Sequence, residues 1–310
     1  MKIELYPPLH IHELGKRDNQ EDSLWPMSAT ANDRLFLLCD GMGGHEKGEV
    51  ASHIVSTSIP EFLDKEDIAD GLEDNQLKRS LEYTYRRLDA QVGESVRKMG
   101  TTLTLLCFHR RGVTAAHMGD SRIYHIRPGV GILYQSRDHS IAFDLFQSGE
   151  ITYEEMLNYP KKNIITRAMT PGEENRMRPD IIHITDIKSD DYFYMCSDGM
   201  LENMTNKAIV ALLSSNATDE KKRKQFITAT SKNQDNHTAW FIHIKDVIRE
   251  DGDELLVNEE PTARCNTINI IPKDATEGDE EVVIVETEGT AKSFLQRIKE
   301  MYNYIMRKNL

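Results

Sequence analysis

Positive charge is what this chain is short of. Its 310 residues carry 38 Lys+Arg against 51 Asp+Glu, a formal net charge of −13 at pH 7. A surface with that balance does not release counterions from a phosphate backbone, so nucleic acid is excluded as a general partner. Long apolar runs are lacking too: none reaches the roughly 18 residues that a membrane span needs. The first 20 residues hold no apolar stretch after a basic cluster, as a secretory leader would. No membrane span and a cytoplasmic location are therefore expected. Cysteine is sparse, with only Cys39, Cys107, Cys196 and Cys265. Their spacing is not that of a metal site, and three lie in apolar runs where a reduced thiol behaves as a small hydrophobe, so no disulfide framework is expected. With 39% hydrophobic residues, the chain is long enough for one large domain or about two ordinary ones, with room for a tail.

Short apolar, β-branched and aromatic runs recur at 35–39, 102–108, 113–118, 122–126, 132–135, 181–184, 192–196 and 238–244, many bounded by Gly, Asp or Asn. Several follow one another after only a few residues, which forces antiparallel pairing. Helical periodicity comes in pairs instead. One stripe runs through Val50, Ile54, Ile59 and Phe62; the next runs through Leu77, Leu81, Tyr85, Leu88, Val92 and Val96, which predicts one long helix. A second pair is expected over 206–213 and 221–230. Strands in runs and helices in pairs predict an α+β domain of antiparallel sheets covered by helices, not a doubly wound parallel sheet.

Residues 140–179 differ, with short helix signals at 141–147 and after Thr152, and are read as a flap over a surface. The globular core is expected over 1–248. An acidic, loop-like linker follows over 249–290, then an amphipathic helix over 291–310 whose apolar stripe is Phe294, Ile298, Met301 and Ile305 among basic residues. That helix packs on the body or docks a partner. The chain is read as a monomer.

Three apolar runs each deliver an aspartate beside a glycine: Asp40 before Gly41-Met42-Gly43-Gly44, Asp198 before Gly199, and Asp120 after Gly119. Singly, each is an ordinary turn. Together with the pair Glu21 and Asp22, and with Asp235 before the last strand, they put acidic groups at the ends of several strands. Strand ends of one layered domain meet at one edge, and like charges gathered there repel unless a cation sits among them. Oxygen-only ligands select hard ions such as Mg²⁺ or Mn²⁺ over Zn²⁺. Two ions sharing a carboxylate lower the pKa of a bridging water and neutralise charge on a transferring phosphoryl group. Such a clamp needs an anion holder, and the planar guanidinium of Arg17 suits that role better than any nearby lysine.

These residues resemble the metal-dependent serine/threonine protein phosphatases of the type 2C family, in the form typical of bacteria. The resemblance rests on Arg17-Asp18-Asn19-Gln20-Glu21-Asp22, Asp40-Gly41-Met42-Gly43-Gly44-His45, Gly100-Thr101-Thr102, Gly119-Asp120-Ser121-Arg122, Asp138-His139-Ser140, Asn163-Ile164-Ile165-Thr166-Arg167-Ala168, Ser197-Asp198-Gly199 and Asp235-Asn236-His237-Thr238. The motifs stand in the family's order over about residues 10–245. The resemblance implies a four-layer α-β-β-α sandwich, two antiparallel sheets flanked by helix pairs, and hydrolysis of phosphoserine or phosphothreonine in protein substrates.

By the family's scheme, Asp40 bridges two Mn²⁺ or Mg²⁺ ions, the Gly41 carbonyl binds the first, and Asp198 and Asp235 bind the second. Asp22, and less directly Glu21, hold metal-bound water; Asp120 helps bind a third, looser ion. Arg17 grips the substrate phosphate. Arg17 and Asp40 are thus the residues read as catalytic. Residues 140–179 match the family's mobile flap, which bears on substrate choice.

Two departures stand out. Met42 occupies the place where family members from eukaryotes often carry a histidine proposed as proton donor, and 169–177 (MTPGEENRM) is longer than the usual ending after Arg-Ala. The alternative function is a catalytically inactive phosphoprotein-binding adaptor of the same fold. Such proteins have usually lost a metal aspartate, and here none is missing. A two-metal hydrolase of small phosphate esters is the third reading.

Overall fold

The computed structural model describes residues 1–43, 47–91, 99–161, 164–172 and 176–249, with two short pieces at 268–269 and 283–284. In chain order its elements are β1 (Lys2–Leu5), β2 (Leu9–Glu13), β3 (Asp22–Trp25), β4 (Leu35–Met42), α1 (Lys47–Leu63), α2 (Asp74–Asp89), β5 (Gly100–Thr101), β6 (Leu103–His109), β7 (Gly112–Met118), β8 (Arg122–Arg127), β9 (Gly131–Gln135), α3 (Ile141–Gln147), α4 (Tyr153–Leu157), β10 (Asp180–Ile184), β11 (Tyr192–Cys196), a 3₁₀ turn (Asp198–Glu202), α5 (Asn206–Leu213), α6 (Asp219–Thr230), β12 (His237–Ile248), β13 (Ile268–Asn269) and β14 (Val283–Ile284).

The strands form two antiparallel sheets. One has the order β1-β12-β11-β8-β9, with β2 also paired to β12; the other has the order β10-β7-β6-β4-β3, with β5 on β4. Alternation along each strand explains how the sheets stack. In β4, Leu37 and Cys39 face α1 and α2, and join Val55, Ile59, Leu77 and Leu81 in one apolar cluster. Their neighbours Phe36 and Leu38 face the other way and meet Phe193, Met195, Trp240 and Ile242 of the opposite sheet. The outer face of that sheet, with Tyr194 and Phe241, is covered by Ile209, Leu213 and Phe226 of α5 and α6. Three apolar seams thus bind four layers, helices–sheet–sheet–helices: the antiparallel sheets and helix cover that the sequence pattern predicts, in the four-layer order that the resemblance implies. Strands buried on both faces read as unbroken apolar runs, which is why β6 and β11 were the most legible.

The central seam is held by aromatic packing as well as area. Phe36 meets Trp240 edge-on at 5.3 Å and Phe108 meets Phe193 at 5.3 Å, geometry that adds to the roughly 2–3 kcal/mol of burying each ring. Trp240 Nε1 donates to the Leu37 carbonyl at 3.1 Å across the layers, so the indole is buried without an orphaned donor. Helix starts follow local chemistry: Thr205 and Thr218 cap α5 and α6, and Glu73 with Gln76 forms a capping box on α2.

Three expectations change. The long helix is α2, and it ends at Asp89; Val92 and Val96 lie outside the described residues. Three N-terminal strands, β1, β2 and β3, were not expected, because four or five residues carry too few apolar positions to stand out. Asp40 was placed at a strand end, but β4 runs through it to Met42. The expected helix over 291–310, His45 and Cys265 all lie outside the described residues. β12 closes the sandwich at Ile248; within the stretch expected as linker, β13 and β14 pair with each other. No helix among the described residues is long and apolar enough to cross a membrane.

Candidate active site

Two strands bring the first carboxylates together. β3 and β4 pair so that Asp22 stands directly opposite Asp40, and side chains at such positions have Cβ atoms about 5 Å apart. Like charges at that spacing destabilise the pairing unless something compensates. The β4 backbone is fixed around Asp40: its N–H donates to Thr102 Oγ1 at 2.9 Å, and its carbonyl accepts from Thr102 N at 2.9 Å and Thr101 Oγ1 at 2.9 Å. Gly41 follows, where a Cβ would come within 2.3 Å of the Gly48 carbonyl and 2.5 Å of the Glu21 carbonyl. Only glycine lets the start of α1 and the Glu21 backbone approach this closely.

The other sheet supplies the rest. β11 ends in Ser197 and delivers Asp198 at the start of the 3₁₀ turn, and the loop before β12 delivers Asp235. Gly199 binds those two loops together: a Cβ there would lie 2.0 Å from the Asn236 carbonyl and 3.3 Å from Asp235 Cβ. Asp120 sits between β7 and β8. The structure therefore gathers Asp22, Asp40, Gly41, Asp120, Asp198 and Asp235 at one end of the sandwich, with Arg17 and Glu21 at its rim.

The electrostatics of this gathering are unfavourable by themselves. Burial first, and then Asp22, Asp198, Asp120 and Asp235, hold the Asp40 carboxyl well above its ordinary range. Burial, and behind it repulsion from Asp198, pushes Asp22 up to about 7 and Asp120 up to about 8. Asp198 is raised by burial and by Asp235. Glu21 is raised chiefly by partial burial, against the pull of Arg17. Asp22 Oδ2 accepts from Ser197 Oγ at 2.8 Å, but Asp22 Oδ1 and Asp120 Oδ1 are buried without a hydrogen-bond partner. Buried polar atoms are almost always satisfied, so each orphan calls for a reason.

Carboxylate oxygens with spare lone pairs, a backbone carbonyl and no sulfur form the donor set of a hard divalent cation. The residues present fit Mn²⁺ or Mg²⁺. Among the described residues, no three of these carboxylates bring one oxygen each within 4.8 Å of one another. The one group among the described residues that does close within 4.8 Å is His117, His139 and Asp180, which sequence spacing gave no sign of.

The rim is organised by residues that had no role in the sequence reading. Asn236 accepts from Glu21 N at 2.8 Å and donates to the carbonyls of Leu14 at 2.9 Å and Asn19 at 3.0 Å, tying both arms of the Arg17 loop to Asp235. Glu202 accepts from the N–H groups of Gln234 at 2.8 Å and Asp235 at 3.1 Å. Asn236 and Ser197 stood in quoted motifs without a task; for Glu202 the sequence carried no signal. In the stretch read as a flap, α3 and α4 form as expected. Its first residue, Ser140, bridges to Ile165 further along the segment, and Met169 bridges to Thr101.

Residues 12–240 match the family model for Protein phosphatase 2C. A putative protein phosphatase 2C-type from Streptococcus pyogenes is 30% identical over 232 residues, covering 74% of this chain and 93% of that one. The serine/threonine protein phosphatase PstP of Mycobacterium tuberculosis is 33% identical over 199 residues, 64% of this chain and 36% of that one. Among solved structures, the catalytic domain of PstP in complex with two manganese ions superposes with a TM-score of 0.65 at 28% identity, covering 79% of this chain and all of that one. Stp1 from Staphylococcus aureus gives a TM-score of 0.68 at 28% identity over 80% of this chain and 98% of that one.

Proposed function

Since the chain belongs to the protein phosphatase 2C family, and so to the phosphoprotein phosphatases, we propose that it hydrolyses phosphoserine and phosphothreonine in proteins at the aspartate cleft, using two Mn²⁺ or Mg²⁺ ions. The observation that carries this reading is the gathering of buried Asp22 with the half-buried Asp40, Asp120, Asp198 and Asp235, with two carboxylate oxygens lacking any donor and with Asp22, Asp40 and Asp120 raised by burial and mutual repulsion. When bound, the ions supply an acidified water as nucleophile and offset the phosphoryl charge.

Each residue then has a task. Asp40, central to the cluster and opposed by the other carboxylates, would be shared between the ions, and the Gly41 carbonyl, Asp198 and Asp235 would complete the set that holds them. Asp22, with Glu21 behind it, orients water at the rim of the pair. Asp120 holds a third, looser ion. Arg17 grips the phosphate: its guanidinium is largely exposed and already paired with a carboxylate, which a phosphoryl group can replace with bidentate geometry. The catalytic unit is 1–248, with 140–179 as the flap beside the cleft. The tail, 249–290 and 291–310, lies beyond it and serves for docking or packing. A monomeric cytoplasmic enzyme is the simplest form of this reading.

The deciding experiment is Asp40→Asn assayed in Mn²⁺ on a small aryl phosphate and on a phosphopeptide. Loss of turnover on both, with two-ion binding seen by calorimetry in the parent protein and weakened in the variant, supports the assignment. Near-normal turnover in the variant refutes it.

A further inference from the structure

Beside the Asp120 loop lies a second set of titratable groups that the cleft does not use. The imidazoles of His117 and His139, both buried, stack at 4.7 Å and 9°, and one ligand atom each from these and from Asp180 fall within 4.8 Å of one another. That spacing invites a metal ion, but the hydrogen bonds argue otherwise. His117 Nε2 lies 2.6 Å from the Arg137 carbonyl, which can only accept, so that nitrogen carries a proton. Gly119 N–H donates to His139 Nδ1 at 3.1 Å, which leaves the His139 proton on Nε2, facing Asp180 Oδ2 at 3.2 Å. Arg167 Nη1 donates to the other oxygen, Asp180 Oδ1, at 2.9 Å. Both His139 nitrogens and both Asp180 oxygens are engaged, and a guanidinium already supplies the positive charge.

What the network does follows from what it joins. On one side His139 holds both backbone groups of Gly119: it accepts the Gly119 N–H on Nδ1 and gives its own N–H to the Gly119 carbonyl at 2.8 Å. Gly119 has φ +109, and a Cβ there would come 2.5 Å from Thr102 Cγ2, the residue whose hydroxyl takes the Asp40 N–H. On the other side the His139 carbonyl accepts from Thr166 N at 2.8 Å, and Nε2 meets Arg167 both through Asp180 and directly, with Arg167 Nη1 3.4 Å away. Thr166 and Arg167 lie on the return arm of the 140–179 segment. A single buried residue therefore touches both the loop that carries Asp120 and the arm whose Met169 bridges Thr101, the residue whose hydroxyl donates to the Asp40 carbonyl.

We propose that His139 is a positioning residue which, through Asp180 and Arg167, seats the return arm of the 140–179 segment against the Asp120 loop and so sets how well a protein substrate, as distinct from a small phosphate ester, is held. The inference rests on the phosphatase reading above. A small ester needs only the ions and Arg17; a phosphoprotein also leans on the walls of the cleft, and only the second interaction feels the seating of the arm.

The test uses the full chain in Mn²⁺ with two substrates, a phosphothreonine peptide and p-nitrophenyl phosphate. Asp180→Asn removes the charge that holds Arg167. His139→Asn keeps an acceptor for Gly119 N–H but is too short to reach Asp180. Both variants are expected to raise KM for the peptide about 10-fold, the loss of one charge-assisted hydrogen bond, while kcat and KM for the small ester stay within about 2-fold. Hydrogen exchange at the Thr166 amide should quicken in the same variants. Asp191→Asn, in a buried ion cluster at the far end of β11, serves as the control, and it should lower Tm without splitting the two substrates. If the KM values move together, or the Thr166 amide keeps its protection in Asp180→Asn, the coupling is overturned. If the parent protein turns over neither substrate, the phosphatase reading falls and takes the coupling with it. Asp180 is 41% exposed at its side chain, so that variant keeps the test decisive should His139→Asn not fold.

Discussion

Arg17 Nη2 donates to Asp235 Oδ2 at 2.7 Å. The two residues are 218 positions apart, and each has a different proposed partner during turnover, a phosphate for the arginine and an ion for the aspartate. Their pairing means that the guanidinium is held at the cleft before substrate arrives. With Arg17 56% and Asp235 33% exposed at the side chain, the pair itself stabilises the fold by no more than about 1 kcal/mol. Arg17→Ala should therefore leave Tm nearly unchanged, raise KM by about 10-fold or more, and weaken inhibition by inorganic phosphate in step. Arg17→Lys should recover little of this, because a point charge does not replace a planar fork. Steady-state kinetics with phosphate as product inhibitor, beside a thermal melt, checks both parts.

Asp40 sits where four other carboxylates raise the cost of its charge. Two opposite effects are expected of Asp40→Asn. In Mn²⁺ the variant should lose about 10³-fold or more in kcat, since a shared ligand and the position of the nucleophile go together. In chelator, without divalent ions, the same variant should melt higher than the parent, because one of the mutually repelling groups has become neutral. Calorimetric melts of both proteins with and without chelator measure the second effect independently of activity.

Ion binding should appear as stability. If the cleft holds Mn²⁺ in the folded state alone, saturating it to about 100 times Kd adds about 2.7 kcal/mol. Tm should rise with Mn²⁺ in the parent. Gly199→Ala should abolish most of that rise, because its Cβ would lie 2.0 Å from the Asn236 carbonyl and force the Asp198 and Asp235 loops apart. An unchanged Mn²⁺-dependent rise in Gly199→Ala would contradict the placement of these two aspartates around one ion.

How far the sequence leads depends on whether a feature is local. The apolar runs of β6 and β11 advertise strands buried on both faces, and the paired helix stripes place α1 and α2 on one side, so the layering was legible. The aspartates were legible as strand-linked residues beside glycines. Their meeting at one edge followed from strand ends in a layered domain, but the pairing did not: that Asp22 faces Asp40 depends on the register of β3, a strand of only four residues. Nor could the sequence give the links between distant segments, such as Asn236 to Leu14 and Asn19, Glu202 to the Asp235 loop, or His139 to Asp180. Each joins residues by side-chain geometry that no periodicity encodes. The over-long second helix has a local cause, since apolar spacing alone carries no stop signal past Asp89.

The far end of β11 gives a prediction in pH. Asp191 is fully buried and accepts from Arg127 Nε at 2.8 Å, Arg127 Nη2 at 2.9 Å, His125 Nε2 at 2.8 Å and Lys188 N at 2.9 Å. Burial alone would raise its pKa; the Arg127 fork and His125 outweigh that and hold it at about 2, below the ordinary 3.8. A carboxyl whose folded pKa is depressed contributes stability that is complete above its unfolded pKa. That contribution is lost as pH falls toward the folded value. The contribution is about 2 kcal/mol and should vanish between about pH 4 and pH 2. Asp191→Asn should therefore melt lower than the parent at pH 6, by several degrees for a domain of this size, and the gap should narrow as the parent is acidified through that window. Melts of both proteins across pH 6 to 2.5 decide the matter: a gap that widens on acidification would mean that Asp191 is not the ionised partner of Arg127.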